Sequence, residues 1–372
     1  MSNFIPVNEP LLNGNEKKYL NECIDTGWIS SEGPFIKKFE KEMAGYVGRK
    51  HAIAVTNGTA AIEMAAAALG LKEGDEVIMP TFTIISCAQA LVKAGAKPVL
   101  IDSALDTFNM KVEDIEPKIT AKTKAIMVVH IYGLPVDMDP VLEIARKYHL
   151  KIIEDAAEMH GQTYKGRKCG SFGDISIFSF YPNKHITTGE GGMALTDDPF
   201  LAERCESLRN LCFVPGKRFV HEELGWNLRM TNLQAALGVA QFERIDENIA
   251  KKRWIGHLYQ ELLADIDVIN LPLPKKGFAD NIYWVFPLVL KDDYPKNAEQ
   301  VMKELADQQI GTRPFFYPMH KQPVFNKMGL FLDENLPNSE KLYDRGFYIP
   351  SGLAITKEQI EKVAKVLHEV LK

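Results

Sequence analysis

Lys184 stands in the run Phe178-Ser-Phe-Tyr-Pro-Asn-Lys-His-Ile-Thr-Thr-Gly-Glu-Gly-Gly192, about thirty residues after the acidic pair Glu154-Asp155. An amine that has lost its proton adds to an aldehyde and forms a Schiff base; burial or a neighbouring cation lowers its pKa toward that state. A distant carboxylate can keep a pyridine nitrogen protonated. These are the two groups that pyridoxal phosphate (PLP) asks of a protein, because the protonated ring is its electron sink. A phosphate needs a third element. Asn57-Gly58-Thr59 offers one, a strand-to-helix turn with free N–H groups and the positive end of a helix dipole. Gly58 permits close approach and Thr59 adds a hydroxyl. Each feature also has a plain reading alone: Lys184 as a solvated loop residue, Asp155 as a helix cap, Thr59 as an N-cap. Their order along the chain favours the joint reading.

The elements that must position them are apolar strands alternating with helices. Ala52-Ile-Ala-Val55 reads as a buried strand, followed by an alanine-rich helix over Ala60–Leu69 that ends at Gly70. Further strands are expected at Glu76–Met79, Pro98–Ile101, Ala125–Val129, Lys151–Ile153 and Ile175–Phe178, with a helix at Pro140–Tyr148. Such a pattern predicts an α/β fold with a mainly parallel sheet covered on both faces. The carboxyl ends of its strands, where Asp155 falls, usually face the ligand crevice. An N-terminal amphipathic helix is expected around Glu16–Asp25. One long helix is expected from Thr231 toward Leu263, then a strand at Tyr283–Leu290, a helix at Ala298–Gln308, a strand at Thr312–Phe316 and a terminal helix from Lys357. These place a large domain over residues 1–250 and a smaller C-terminal α+β domain over 251–372.

Composition narrows the classes. A chain of 372 residues with 46% hydrophobic and 25% charged residues is ordinary for a soluble globular protein. A net charge of −5 supplies no basic field, so nucleic acid is not an expected partner. The five cysteines (Cys23, Cys87, Cys169, Cys205, Cys212) are scattered without a CxxC pair, so neither a metal nor a disulfide is expected. The start, Met1-Ser-Asn-Phe-Ile-Pro-Val, lacks the marks of a signal peptide, and no apolar run nears the ~20 residues of a spanning helix. A cytoplasmic protein with no membrane association is the expectation.

The motifs Asn57-Gly-Thr59, Glu154-Asp-Ala-Ala-Glu158, Gly173-Asp174, Phe178-Ser-Phe180, Asn183-Lys184, Thr188-Gly-Glu-Gly-Gly192 and Gly225-Trp-Asn-Leu-Arg-Met-Thr-Asn232 resemble the sugar aminotransferases of the DegT/DnrJ/EryC1/StrS family. The similarity runs from Thr26-Gly-Trp-Ile-Ser-Ser-Glu-Gly33 to Arg313-Pro-Phe-Phe-Tyr-Pro-Met-His320. It implies the PLP-dependent transferase fold type I, aspartate aminotransferase-like. It also implies amino transfer from glutamate to a nucleotide-linked 4-keto-6-deoxy sugar, usually for a surface polysaccharide such as O-antigen. Within the family, Asn183–Met193 and Pro318–His320 are nearest to members that aminate C4 of GDP-4-keto-6-deoxymannose.

Carried over by position, the resemblance makes Lys184 the Schiff-base amine and proton shuttle, and Asp155 the partner of the pyridine nitrogen. Glu158, often glutamine in the family, would lie near the ring hydroxyl, and Gly58, Thr59 and Ser179 would bind the phosphate. Asn227 would reach that phosphate from a neighbouring subunit, so a homodimer with shared active sites is implied. Ser30, Ser31, His130, Tyr132, Arg229, Arg313 and His320 match positions on the sugar-nucleotide side. Ser30 and Ser31 read equally as turn residues, His130 and Tyr132 as satisfied core polars, and Arg229 as a structural ion pair. Three departures bear on the substrate: Ile84 stands where many members stack an aromatic ring, Asn210-Leu-Cys-Phe213 replaces a glycine-rich stretch, and Tyr181-Pro182 replaces Phe-Gly.

Several readings stay open at this point. The nucleotide could be GDP, UDP or dTDP, and the aminated carbon C3 or C4. A PLP-dependent dehydratase on the same fold would carry histidine in place of the lysine, and His185 is one residue away. A non-catalytic regulatory homologue, or a desulfurase-like enzyme using Cys212, completes the alternatives.

Overall fold

A computed structural model describes residues 4–372; Met1–Asn3, which open the stretch read for a signal peptide, lie outside the described residues. The apolar runs assemble into a seven-stranded sheet. In spatial order its strands are His51–Val55, Gly192–Thr196, Ile175–Ser179, Lys151–Asp155, Thr123–Val129, Glu76–Pro80 and Lys97–Ile101. All point one way except Gly192–Thr196, which is antiparallel to both neighbours. The runs are continuous rather than alternating because both faces are covered. Ile53, Val55, Val77, Met79, Met127 and Ile153 pack under the helices Gly58–Ala68, Ile85–Lys93 and Pro199–Arg209. Ala54, Ile78, Ile126, Val128, Ile152 and Phe178 face the helices Pro34–Val47, Met138–Tyr148 and Asn232–Phe242.

The alanine-rich helix begins at Gly58, two residues before the alanine run. Asn57 is its N-cap, its side chain accepting from the Ala60 N–H at 2.8 Å, so Thr59 is not the cap. The single long helix expected from Thr231 is two, Asn232–Phe242 and Ile245–Leu262. Glu243, at the break, accepts from Asn15 and Tyr19 at 2.7 and 2.6 Å, and Arg244 turns back to Glu247. Those tertiary contacts sit at a break that periodicity does not register.

The C-terminal part carries an antiparallel sheet ordered Ile269–Asn270, Phe286–Leu290, Gly346–Ile349, Arg313–Pro314. The helices Ala298–Asp307 and Lys357–Val370 share its apolar core. The strand expected over Thr312–Phe316 is cut to two residues at the sheet edge, where Pro314 has no N–H to give a ladder. Residue 250 lies within the helix Ile245–Leu262, whose Ile255 and Tyr259 already belong to the C-terminal core. Ile5 of the N-terminal arm joins that core and pairs with Ile310. No helix among the described residues is long and apolar enough to cross a membrane.

Candidate active site

The parallel strands end along one edge of the sheet, and a cleft of about 780 Å³ opens there. The turn after His51–Val55 brings Gly58 and Thr59 to it, Lys151–Asp155 ends in Asp155, and Ile175–Ser179 ends in Ser179. Lys184 follows in the loop that returns to Gly192. Gly58 and Thr59 open a helix, so their N–H groups have no intrahelical acceptor and are available to an anion. Gly58 is required sterically: a Cβ there would lie 2.9 Å from the Ser179 Cβ. Thr59 Oγ1 lies 2.7 Å from Ser86 Oγ. This is a cradle of small donors, suited to a phosphate.

The two members of the acidic pair do different work, because successive residues of a strand face opposite sides. Glu154 is wholly buried and accepts from Gly170, Phe172 and Gly173 N–H groups and Ser176 Oγ, with His130 Nε2 at 3.2 Å. Burial opposes its charge, yet His130 and the backbone donors outweigh it and hold the carboxyl down at about 2. Asp155 has far fewer partners. Its Oδ1 accepts from the Ala157 N–H at 3.0 Å and its Oδ2 from the Cys87 thiol at 3.4 Å. Burial pushes its carboxyl above the usual range, with Ala157 N–H and Lys184 acting the other way. A buried carboxylate so sparsely satisfied, at the floor of a cleft, is a natural partner for a cationic N–H.

Lys184 is buried on the same floor, its side chain 10% exposed. Its Nζ lies 3.8 Å from the centroid of the Trp284 ring and 4.0 Å from Glu158 Oε1. Burial draws the amine below the ordinary lysine range, while Glu158 and Asp155 resist. Glu158 accepts from the Tyr132 N–H at 2.7 Å, and burial pushes its carboxyl up to about 8. The floor therefore joins a phosphate cradle, an amine prepared to lose its proton and an under-satisfied carboxylate. That donor set fits PLP.

The other sequence-derived candidates divide. His130, Tyr132 and His320 do not line the cleft. His130 is taken up by Glu154 and by the Val136 N–H, which its Nδ1 accepts at 3.0 Å. Tyr132 is buried in an aromatic cluster with Phe82, Phe108, Phe315 and Phe316, and what it gives the site is its backbone N–H. Both ring nitrogens of His320 are engaged, by Thr81 Oγ1 at 2.8 Å and Glu340 at 3.0 Å, which ties it to the residue just after the strand Glu76–Pro80. Ser30 is exposed and its carbonyl accepts from Asn232 N–H. Ser31, Asn227, Arg229 and Arg313 also lie outside the lining, Asn227 and Arg313 exposed. Arg229 donates to Asn210 Oδ1 at 2.6 Å, a hydrogen bond and not an ion pair.

Sequence reasoning missed the wall. Trp284, Phe316 and Tyr348 line the cleft from the C-terminal part, and Leu228 and Tyr181 complete it. Ile84, the aliphatic residue at the aromatic position, also lines it and is 45% exposed. His185, the residue that a dehydratase register would use, is wholly buried and outside the lining. All five cysteines are buried, Cys212 among them. Among the described residues no cluster of His, Cys, Asp and Glu is arranged to hold a metal ion.

Comparison with known proteins identifies the family. Residues 10–368 match the DegT/DnrJ/EryC1/StrS aminotransferase family. The chain is 42% identical to GDP-perosamine synthase of Escherichia coli O157:H7, over 98% of each chain. It is 43% identical to GDP-perosamine synthase of Caulobacter vibrioides, covering 99% of this chain and 98% of that one. Among solved structures, the aminotransferase TlmJ from Streptoalloteichus hindustanus superposes with a TM-score of 0.92 at 26% identity, over 99% and 98% of the two chains.

Proposed function

The chain belongs to the DegT/DnrJ/EryC1/StrS aminotransferase family, and from that premise we propose that it uses PLP to move an amino group from glutamate to a nucleotide-linked 4-keto-6-deoxy sugar. The acceptor it suits best is GDP-4-keto-6-deoxymannose, with GDP-perosamine as product, in line with the names of the relatives it resembles over their full length. The observation that carries the reading is the meeting of Lys184, Asp155 and the Gly58–Thr59–Ser179 cradle on one cleft floor.

When bound, PLP supplies an aldehyde for amines and a ring that spreads the charge left on a carbon that loses its proton. The chain's own residues do the rest. Gly58, Thr59 and Ser179 hold the phosphate. Asp155 would keep a proton on the ring nitrogen, which would give its costly buried charge a cationic partner. Lys184 Nζ, brought toward neutrality by burial, would take the proton from the donor's α-carbon and hold it for its return. Trp284 closes over that nitrogen and keeps water from it. Glutamate and sugar use the same floor in turn, so the reaction is ping-pong.

Asn227 is exposed and outside the lining of its own chain's cleft, and Leu224 beside it is 94% exposed. A homodimer in which Asn227 completes a neighbouring site accounts for both, with Ser30, Ser31, Arg229 and Arg313 as candidates for holding the nucleotide. The division near residue 250 belongs to the same reading, as does a cytoplasmic location. Incubation with glutamate and a panel of GDP-, UDP- and dTDP-linked keto-sugars, with mass detection, tests it. An aminated GDP-sugar is expected; no aminated product with any member of the panel would sink the proposal.

A further inference from the structure

The charges on the cleft floor do not balance. Asp155 and Glu158 are two buried carboxyl groups, and among the described residues Lys184 is the amine that acts on both. Lys93 also lines the cleft but is engaged with Glu63 at 2.7 Å. Asp155 has the Ala157 N–H, the Cys87 thiol and, on the reading above, a ring nitrogen. Glu158 has the Tyr132 N–H on Oε2, while Oε1 faces Lys184 Nζ at 4.0 Å. A buried carboxylate with a single neutral donor is poorly compensated, and removing its charge by a proton is the cheaper state.

We propose that Glu158 and Lys184 hold one proton between them, so that Glu158 sets the charge on the nitrogen at position 184. The step needs no outside acid or base: ammonium and carboxylate become amine and carboxylic acid as one proton crosses from Nζ to Oε1. The gap closes to hydrogen-bond length with a movement of about 1 Å. Titratable groups facing Glu158 from the surrounding elements are Asp155 on Lys151–Asp155, Cys87 on Ile85–Lys93, Tyr132 beyond Thr123–Val129 and Tyr348 on Gly346–Ile349. None of these is a cation. Near Lys184, His160 and His185 are kept neutral by burial, which leaves the amine as the one positive partner of Glu158 among the described residues. Burial raises Glu158 and lowers Lys184, which narrows the gap across which the proton is exchanged, while the attraction between the two charges works against both shifts.

The inference rests on Lys184 being the PLP-binding amine, and the test separates the two. The visible absorbance of the PLP-loaded protein is titrated with pH for wild type, Glu158→Gln and Glu158→Asp. The amide neither carries charge nor takes up the proton, so its midpoint should fall by about one pH unit or more, a tenfold loss of proton affinity. Glu158→Asp, charged but more distant, should lie between. Superimposed wild-type and Glu158→Gln curves overturn the proposal; if Glu158→Gln does not fold, a Glu158→Asp curve superimposed on wild type does the same. A wild-type protein with no lysine-bound absorbance, and none trapped by borohydride, removes the PLP reading and this inference with it.

Discussion

Lys184 and Trp284 are a hundred residues apart in the chain, yet the lysine nitrogen sits 3.8 Å from the centre of the indole ring. The indole is itself fixed by its Nε1–H, which donates to the Asn183 carbonyl at 2.9 Å. One side chain from the C-terminal part thus holds both the amine and the peptide just before it. Trp284→Phe keeps a π face but loses the donor, and Trp284→Ala loses both. Turnover should fall in that order, by about tenfold or more for alanine. Steady-state kinetics of the two variants check this, and equal rates in both would refute the role.

Lys184→Ala should abolish turnover and the visible absorbance of the PLP-loaded protein, because Lys93, the other lysine described in the cleft lining, is paired with Glu63. Spectra before and after borohydride, with mass analysis of the labelled peptide, report on both. An active alanine variant would falsify the assignment.

Asp155→Asn should separate activity from stability. The folded carboxyl is raised above its unfolded value, so its contribution is present below the unfolded pKa and lost as pH rises through the folded one. At neutral pH the ionised group therefore costs stability in the PLP-free protein. The amide can keep the Ala157 N–H bond without that cost. Turnover should drop by about a hundredfold or more, while the melting temperature of the PLP-free protein rises. A lower melting temperature contradicts this account of Asp155.

Gly58→Ala places a Cβ 2.9 Å from the Ser179 Cβ, within a cradle that has no slack. Retention of PLP should weaken about tenfold or more, measured as the absorbance lost on dialysis. Undiminished retention would mean that the phosphate binds elsewhere.

Glu154→Gln tests the buried anion on the opposite face. Its folded carboxyl sits at about 2, below the unfolded range, so the stability it lends is present above about pH 4.5 and is lost as pH falls toward 2. Urea unfolding at neutral pH should show a loss of roughly 3 kcal/mol. The deficit should shrink near pH 3. A pH-independent deficit argues against the anion.

The floor of the site was legible because it is made of local signals. A strand that stops at Val55, just before Asn57-Gly58, another that stops at Asp155 and a third that stops at Ser179 each announce a carboxyl end, and parallel strands bring those ends together. The wall was not. Trp284, Phe316 and Tyr348 come from distant sequence, and nothing local distinguishes an aromatic that lines a cleft from one that fills a core. Nor does the sequence show how polar residues near telling motifs are partnered: His130 is bonded to Glu154, and His320 to Thr81 and Glu340. Gly192–Thr196 went unread as a strand for another reason. Its glycines advertise a turn, and only pairing with both neighbours gives it strand form.

That reversed strand shapes how the amine is presented. Ser179 pairs with Gly192, so the twelve residues between them start and finish at the same rim of the sheet. No crossover helix is needed to bring the chain home. The segment bearing Lys184 is consequently tethered at both feet, and Trp284 meets it from a hundred residues further along the chain.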